Sequence, residues 1–141
     1  MNNWIPTYLC HIACFILNPY LLSSVQEGIL RLHPDLAGKI AQSGQLTQES
    51  SKEQSAADLN QLTLKEKSAL AFLNSEYKKK FGFPFVICAR LNKKEAILIG
   101  LETRCQNSTE TELHTGIKEV LKICELRVRD IVKPTNVVAS L

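Results

Sequence analysis

The sequence predicts an all-α fold: a compact bundle of about six or seven helices with one extended insert. Three observations carry this expectation. Apolar residues recur at helical spacing through most of the chain. Two Thr-x-x-Glu boxes, Thr63 with Glu66 and Thr109 with Glu112, mark helix starts. Extended chemistry is confined to Phe81-Gly82-Phe83-Pro84-Phe85-Val86-Ile87-Cys88-Ala89-Arg90, and no partner strand is evident near it.

Size and composition set the outer bounds. The 141 residues suit one domain of common size, and 45% apolar residues can build a core. The net charge of +3 comes from dispersed lysines and arginines. That argues against a nucleic-acid partner, which needs a concentrated basic patch. Cys10, Cys14, Cys88, Cys105 and Cys124 contain no CxxC pair and read as reduced core thiols of an intracellular chain. Cys10, His11 and Cys14 lack a second ligand pair, so no metal site is expected.

Residues 1–24 form a divergent apolar segment that Pro6 and Pro19 interrupt. A spanning helix needs about 20 unbroken apolar residues, so no membrane partner is expected. Residues 25–132 form the helical domain, and 133–141 a loose tail. Leu21, Leu22, Val25, Ile29 and Leu32 space a helix over residues 20–32. His33 and Pro34 end it. Pro34 fixes its own φ, pushes His33 out of the α region and suits the first position of a short helix running through Ala41. An imidazole on such a stiff corner is either a presented acid/base or an ordinary capping corner.

Thr47 is the expected N-cap of the next helix, on which Ser50, Glu53 and Gln54 share one face. That face is either solvated or part of a site. The helix starting at Thr63 buries Leu64, Leu70, Leu73 and Tyr77, and Lys78, Lys79 and Lys80 form its solvated, dipole-compatible end. The extended stretch after Gly82 must still pair its backbone groups if buried. It is either a core plug or a segment that offers those groups to a ligand. Residues 92–105 regain helical character. The longest helix starts at Thr109 and carries the stripe Leu113, Ile117, Val120, Leu121, Cys124, Val128 and Ile131. Arg127 falls within that stripe. A buried guanidinium needs an anionic partner; otherwise it snorkels to the edge or pairs with a structural carboxylate. The chain has no internal repeat, Gly-rich phosphate loop, nucleophile elbow or HExxH motif.

Four segments in this order point to a family: His33-Pro34-Asp35-Leu36-Ala37-Gly38-Lys39, Ser50-Ser51-Lys52-Glu53-Gln54, Phe81 to Arg90, and Lys122-Ile123-Cys124-Glu125-Leu126-Arg127. From about Val25 to Ile131 the chain resembles the 2-oxo-4-hydroxy-4-carboxy-5-ureidoimidazoline decarboxylases of urate breakdown. The resemblance implies an all-helical, cofactor-free carboxy-lyase, usually a homodimer, that turns a small-molecule ureidoimidazoline into (S)-allantoin and CO2. It implies His33 as the catalytic proton donor. It implies a substrate site formed by Pro34, Ser50, Ser51, Lys52, Glu53, Gln54, Phe85, Val86, Ile87, Cys88, Ala89 and Arg127.

The chain departs from the family in its N-terminal segment, in its shortness, at Ala56, and at Asp58, where the family usually has Gly. A peroxisomal or cytoplasmic location is expected. The closing Ala139-Ser140-Leu141 has the final Leu of a peroxisomal tripeptide but not its basic middle residue. Two other readings compete. One is a catalytically impaired or truncated relative of the decarboxylases. The other is a J-domain-like co-chaperone, whose signature is also His-Pro-Asp but whose preceding helix is basic; residues 20–32 carry Arg31 alone.

Overall fold

The computed structural model describes residues 23–38 and 43–132. Among them are α1 (Ser23–Arg31), α2 (Gln48–Ala56), α3 (Leu64–Phe81), α4 (Lys94–Arg104) and α5 (Thr109–Val132). Two 3-10 turns, Leu59–Gln61 and Ala89–Leu91, complete the regular structure, and no strand occurs among the described residues. The all-α class holds. The helix count among the described residues is five, against the six or seven expected. The chain does not re-enter a helix at Pro34: Gly38 N–H closes a turn on the Asp35 carbonyl at 3.2 Å, and residues 39–42 lie outside the described residues. The expectations for residues 1–22, including Cys10, His11 and Cys14, and for the tail from 133 also fall outside them.

Long apolar side chains from α1, α3, α4 and α5 meet in one core. Leu30, Leu70, Tyr77, Ile97, Leu101 and Val120 are buried there with Phe81, Phe83 and Phe85. The Tyr77 ring stands 4.6 Å from Phe81 and 5.4 Å, edge-on, from Phe85. This geometry is favourable for aromatic quadrupoles. The residue of α1 that reaches the core is Leu30, while Val25 and Leu32 are exposed. Leu32 lies beyond the helix end. Leu30 fills a notch on α5 at Gly116, where an added Cβ would come within 3.0 Å of its Cδ1. Leu64, expected inside, is 83% exposed. The buried face of α3 runs through Leu70, Asn74, Tyr77 and Phe81, and Leu64 lies roughly 110° round the helix from its centre.

The helix boundaries follow their capping chemistry. Thr63 and Glu66 form the expected reciprocal box: Glu66 N–H donates to Thr63 Oγ1, and Thr63 N–H to Glu66 Oε2. That backbone N–H, with Lys94 in support, lowers the Glu66 carboxyl pKa to about 2. Gly82 closes α3 at φ +77, a left-handed conformation that glycine adopts without a Cβ penalty. Asp58 takes φ +61 in place of the expected glycine and pairs with Lys93 at 3.0 Å. The lysine run is more than a solvated helix end. Lys80 donates to the Cys105 and Asn107 carbonyls at 2.7 and 2.9 Å, closing α4, and Lys78 meets Asp35 at 3.2 Å.

The second box does not form. Ser108 caps α5 instead, accepting from Thr111 N–H, and Glu112 turns into the core at 0% exposure. There it accepts from the Tyr77 hydroxyl, from Arg104 Nε at 3.0 Å and from Asn107 Nδ2 at 2.8 Å. The Thr-x-x-Glu pattern is local, whereas these three donors arrive from α3, the end of α4 and the loop after it. Removing one member of a buried ion pair strands the other charge. Glu112→Ala is therefore expected to lose about 3–5 kcal/mol of stability, read from urea unfolding midpoints with an unchanged m-value.

Candidate functional site

The extended stretch after Gly82 has no sheet, so side chains satisfy its backbone. Arg31 Nε donates to the Gly82 carbonyl at 3.0 Å. Arg104 Nη1 donates to the Val86 carbonyl at 2.8 Å while its guanidinium lies 4.4 Å over the Phe85 ring. Glu119 Oε2, on α5, accepts from Cys88 N–H at 2.8 Å. The Cys88 carbonyl accepts from Asn92 Nδ2 and Leu91 N–H, where the chain turns into the 3-10 segment. The stretch is thus clamped between helix α5 and the end of α4.

The His33 corner is clamped from the other side. At the end of α1 the Ile29 carbonyl accepts from Leu32 N–H at 3.2 Å, and His33 Nδ1 lies 3.1 Å from the same oxygen. A carbonyl can only accept, so Nδ1 carries the proton, and the neutral ring keeps its lone pair on Nε2. Two buried amides hold the residues that follow. Gln54 Oε1 accepts from Ala37 N–H at 3.0 Å, at the left-handed φ of +48, and Asn74 Nδ2 donates to the Leu36 carbonyl at 3.3 Å. Gly38 has no room for a side chain: an added Cβ would lie 2.8 Å from Asp35 Cβ.

Arg127 finds its anionic partner across the cleft. Its Nε and Nη2 each lie 2.7 Å from a Glu53 oxygen, a bidentate pair, with Ser50 Oγ at 3.4 Å from Nη2. The two side chains are 22% and 13% exposed, so the pair is screened far less than a surface one. The Glu53 hydrogen bond is the main reason the guanidinium pKa is raised further. Nη1 has no hydrogen-bond partner among the described residues.

These groups share one cavity of about 40 Å³. His33, Pro34 and Leu36 form one wall; Ser50, Glu53 and Gln54 of α2 a second; Phe85, Val86, Ile87 and Ala89 a third; Ile123 and Arg127 of α5 the fourth. Ser51, Lys52 and Cys88 do not line it. Ser51 and Lys52 point away on the exposed side of α2, and Ser51 borders a separate hollow with Leu59 and Asn60. Cys88 meets Glu119 through its backbone, and burial raises the pKa of its thiol. Leu36 and Ile123 are additions. Nothing in the sequence separates an apolar cavity wall from ordinary core at those positions. A larger hollow, about 600 Å³, lies between the Asp35–Gly38 turn and α3. It includes neither the imidazole nor the Glu53–Arg127 pair, so volume alone does not locate the chemistry.

The electrostatics favour a neutral imidazole. Burial is the largest influence on His33 and takes its pKa below 6.5; Arg127 acts in the same direction, and the Ile29 hydrogen bond and Glu53 oppose them. No group of three metal-ligating side chains occurs among the described residues, and no helix among them is long and apolar enough to cross a membrane.

A family model described as OHCU decarboxylase matches residues 16–129, starting ahead of Val25. The chain belongs to the OHCU decarboxylase family. It is 55% identical over 106 residues to the 2-oxo-4-hydroxy-4-carboxy-5-ureidoimidazoline decarboxylase of Xenopus laevis, covering 75% of this chain and 61% of that protein. The corresponding Mus musculus decarboxylase is 48% identical over 121 residues, covering 86% and 67%. Among solved structures, an OHCU decarboxylase crystallised in the presence of (S)-allantoin superposes with a TM-score of 0.68 at 27% identity, covering 87% of this chain and 78% of that one. The chain therefore spans about 61% of the length of its Xenopus relative.

For an imidazole whose pKa is depressed by folding, the neutral form stabilises the fold above 6.5, and this contribution is lost as pH falls through the folded value. An NMR titration of the His33 ring is expected to give a midpoint below 6.5, with Nδ1 protonated in the neutral form. A midpoint above that value would contradict the burial argument.

Proposed function

We propose that this chain is a cofactor-independent decarboxylase. It converts 2-oxo-4-hydroxy-4-carboxy-5-ureidoimidazoline to (S)-allantoin and CO2, with His33 as the proton donor. The observation that carries the reading is the convergence of His33, the Glu53–Arg127 pair and the clamped backbone of Phe85–Ala89 on one cavity. The substrate class comes from the relatives' activity, and the residue chemistry supports it.

Loss of CO2 breaks the bond between the carboxylate and the hydroxyl-bearing carbon. The electron pair passes through the ring to its imine nitrogen, which takes one proton from solvent, giving a neutral enol. Completing the product requires the hydroxyl proton to leave and a proton to reach one face of the ureido-bearing carbon. Water serves both faces; one fixed imidazole serves one. His33 starts neutral with its lone pair on Nε2, so it accepts the hydroxyl proton and returns it to carbon as the donor. The Ile29 carbonyl holds the opposite nitrogen and stabilises the transient imidazolium. Arg127 Nη1 and the Gln54 amide offer donors to the ring and ureido oxygens, and Glu53 keeps the guanidinium plane fixed.

The cavity of about 40 Å³ matches little more than one water. Substrate entry therefore requires the cleft to widen. A homodimer, and a peroxisomal or cytoplasmic location, belong to the same proposal. The co-chaperone alternative has no support: the family match covers residues 16–129, and His33 and Pro34 line the cavity with Glu53 and Arg127.

The test follows allantoin formed from freshly generated substrate by circular dichroism. The chain is expected to accelerate formation and to give the (S) enantiomer. His33→Ala should keep the thermal melt and lose about 10²–10⁴-fold in rate, the usual contribution of positioned acid/base catalysis, together with the chirality. Unchanged rate and chirality in that variant would remove His33 from the mechanism. Absence of acceleration by a folded wild-type chain would favour the impaired-relative reading.

A further inference from the structure

The turn from Asp35 to Gly38 is held in an orientation that its sequence does not favour. Gly38 N–H closes it on the Asp35 carbonyl, with φ positive at Ala37 and not at Leu36. That is the type II pattern, which calls for glycine at its third position; in type I the central peptide is turned over, and Leu-Ala suits it without strain. What keeps the Leu36–Ala37 peptide from turning over is visible at both of its ends. Its carbonyl accepts from Asn74 Nδ2 at 3.3 Å, and its N–H donates to Gln54 Oε1 at 3.0 Å. One peptide thus joins two buried amides, one on α3 and one on α2. Gln54 lines the cavity, whereas Asn74 lies outside it and borders the larger hollow.

We propose that Asn74 is a positioning residue: by fixing the Leu36–Ala37 peptide it commits Gln54 Oε1 to the turn, so that Gln54 presents its Nε2 hydrogens, and not its oxygen, to the bound ring. A carboxamide has one donor end and one acceptor end. With the peptide turned over, the Leu36 carbonyl would face Gln54 and the amide would rotate to donate to it. The acceptor end would then meet the ring and ureido oxygens of the ligand, and a hydrogen bond would become a repulsion. Asn74 therefore acts on the ligand through two intermediaries and touches none of its atoms. Lys78, one turn further along α3, holds Asp35 at 3.2 Å and steadies the first residue of the same turn. The proposal rests on the reading of this cavity as the site for a ureido-bearing ring.

The experiment uses the full chain, (S)-allantoin as the probe, and NMR of the His33 ring and the Gln54 side-chain amide. In the wild type, allantoin is expected to shift both signals. Asn74→Leu should abolish the Gln54 shift, keep the His33 shift and raise KM about tenfold, the value of one lost hydrogen bond, with a smaller change in kcat. Adding Ala37→Gly to that variant lets the turn keep its orientation without Asn74 and should recover most of the KM. A lowered melting temperature with unchanged KM in Asn74→Leu, or no recovery in the double variant, overturns the proposal in favour of plain core support. A His33 shift without a Gln54 shift in the wild type also overturns it and leaves the decarboxylase reading standing. No shift at either signal, with no turnover, removes the decarboxylase reading first and this one with it. If Asn74→Leu does not fold, the wild-type Gln54 signal and Asn74→Asp decide. Above neutral pH its carboxylate, beside Lys67 and Lys78, can accept but cannot donate to Leu36, so unchanged KM there overturns the proposal.

Discussion

An extended segment without a sheet governs this molecule. Backbone groups from Gly82 to Cys88 must be paired inside a helical protein that has no strand to offer among its described residues. The solution is to send side chains to them. Arg31, Arg104, Glu119 and Asn92 each reach a carbonyl or N–H of the segment. Burying Arg104 and Glu119 is costly in isolation, and each is therefore part of a larger polar set: Glu112, Tyr77 and Asn107 around one, Lys122 beside the other. The core polar network and the cavity wall are two faces of the same requirement.

The charged groups of the cavity follow a similar economy. Arg127 cannot sit on the inner stripe of α5 without an anion, and Glu53 provides one in bidentate geometry. The pair leaves the imidazole as the cavity's neutral titratable group, placed where burial and a nearby cation both disfavour its protonation. A ring with those properties takes a proton more reluctantly than a free histidine and gives it up more readily.

Much of this was legible from the chain, and the reasons are specific. The box at Thr63 was readable because both partners lie within one turn. Arg127 announced a need for an anion because helical periodicity placed it among Val120 and Cys124, and the lack of a partner strand announced a segment that needs unusual support. Glu112 was misread as a cap because the donors that claim it come from Tyr77 and Arg104, which no local pattern connects to it. Leu30 replaced Val25 and Leu32 because its burial depends on a facing glycine far along the chain. The holding roles of Gln54 and Asn74, and the walls made by Leu36 and Ile123, are tertiary facts in the same sense.

The missing side chain at position 116 reaches further than packing. Leu30 seats in that vacancy, and its neighbour Ile29 supplies the oxygen that selects which imidazole nitrogen is protonated. Axial sliding of α1 along α5 would therefore move the carbonyl that holds the ring. The tautomer of the cavity's imidazole is thus gauged by the bare backbone of another helix, and a side chain gained at a glycine remote from the cleft would register first at that ring.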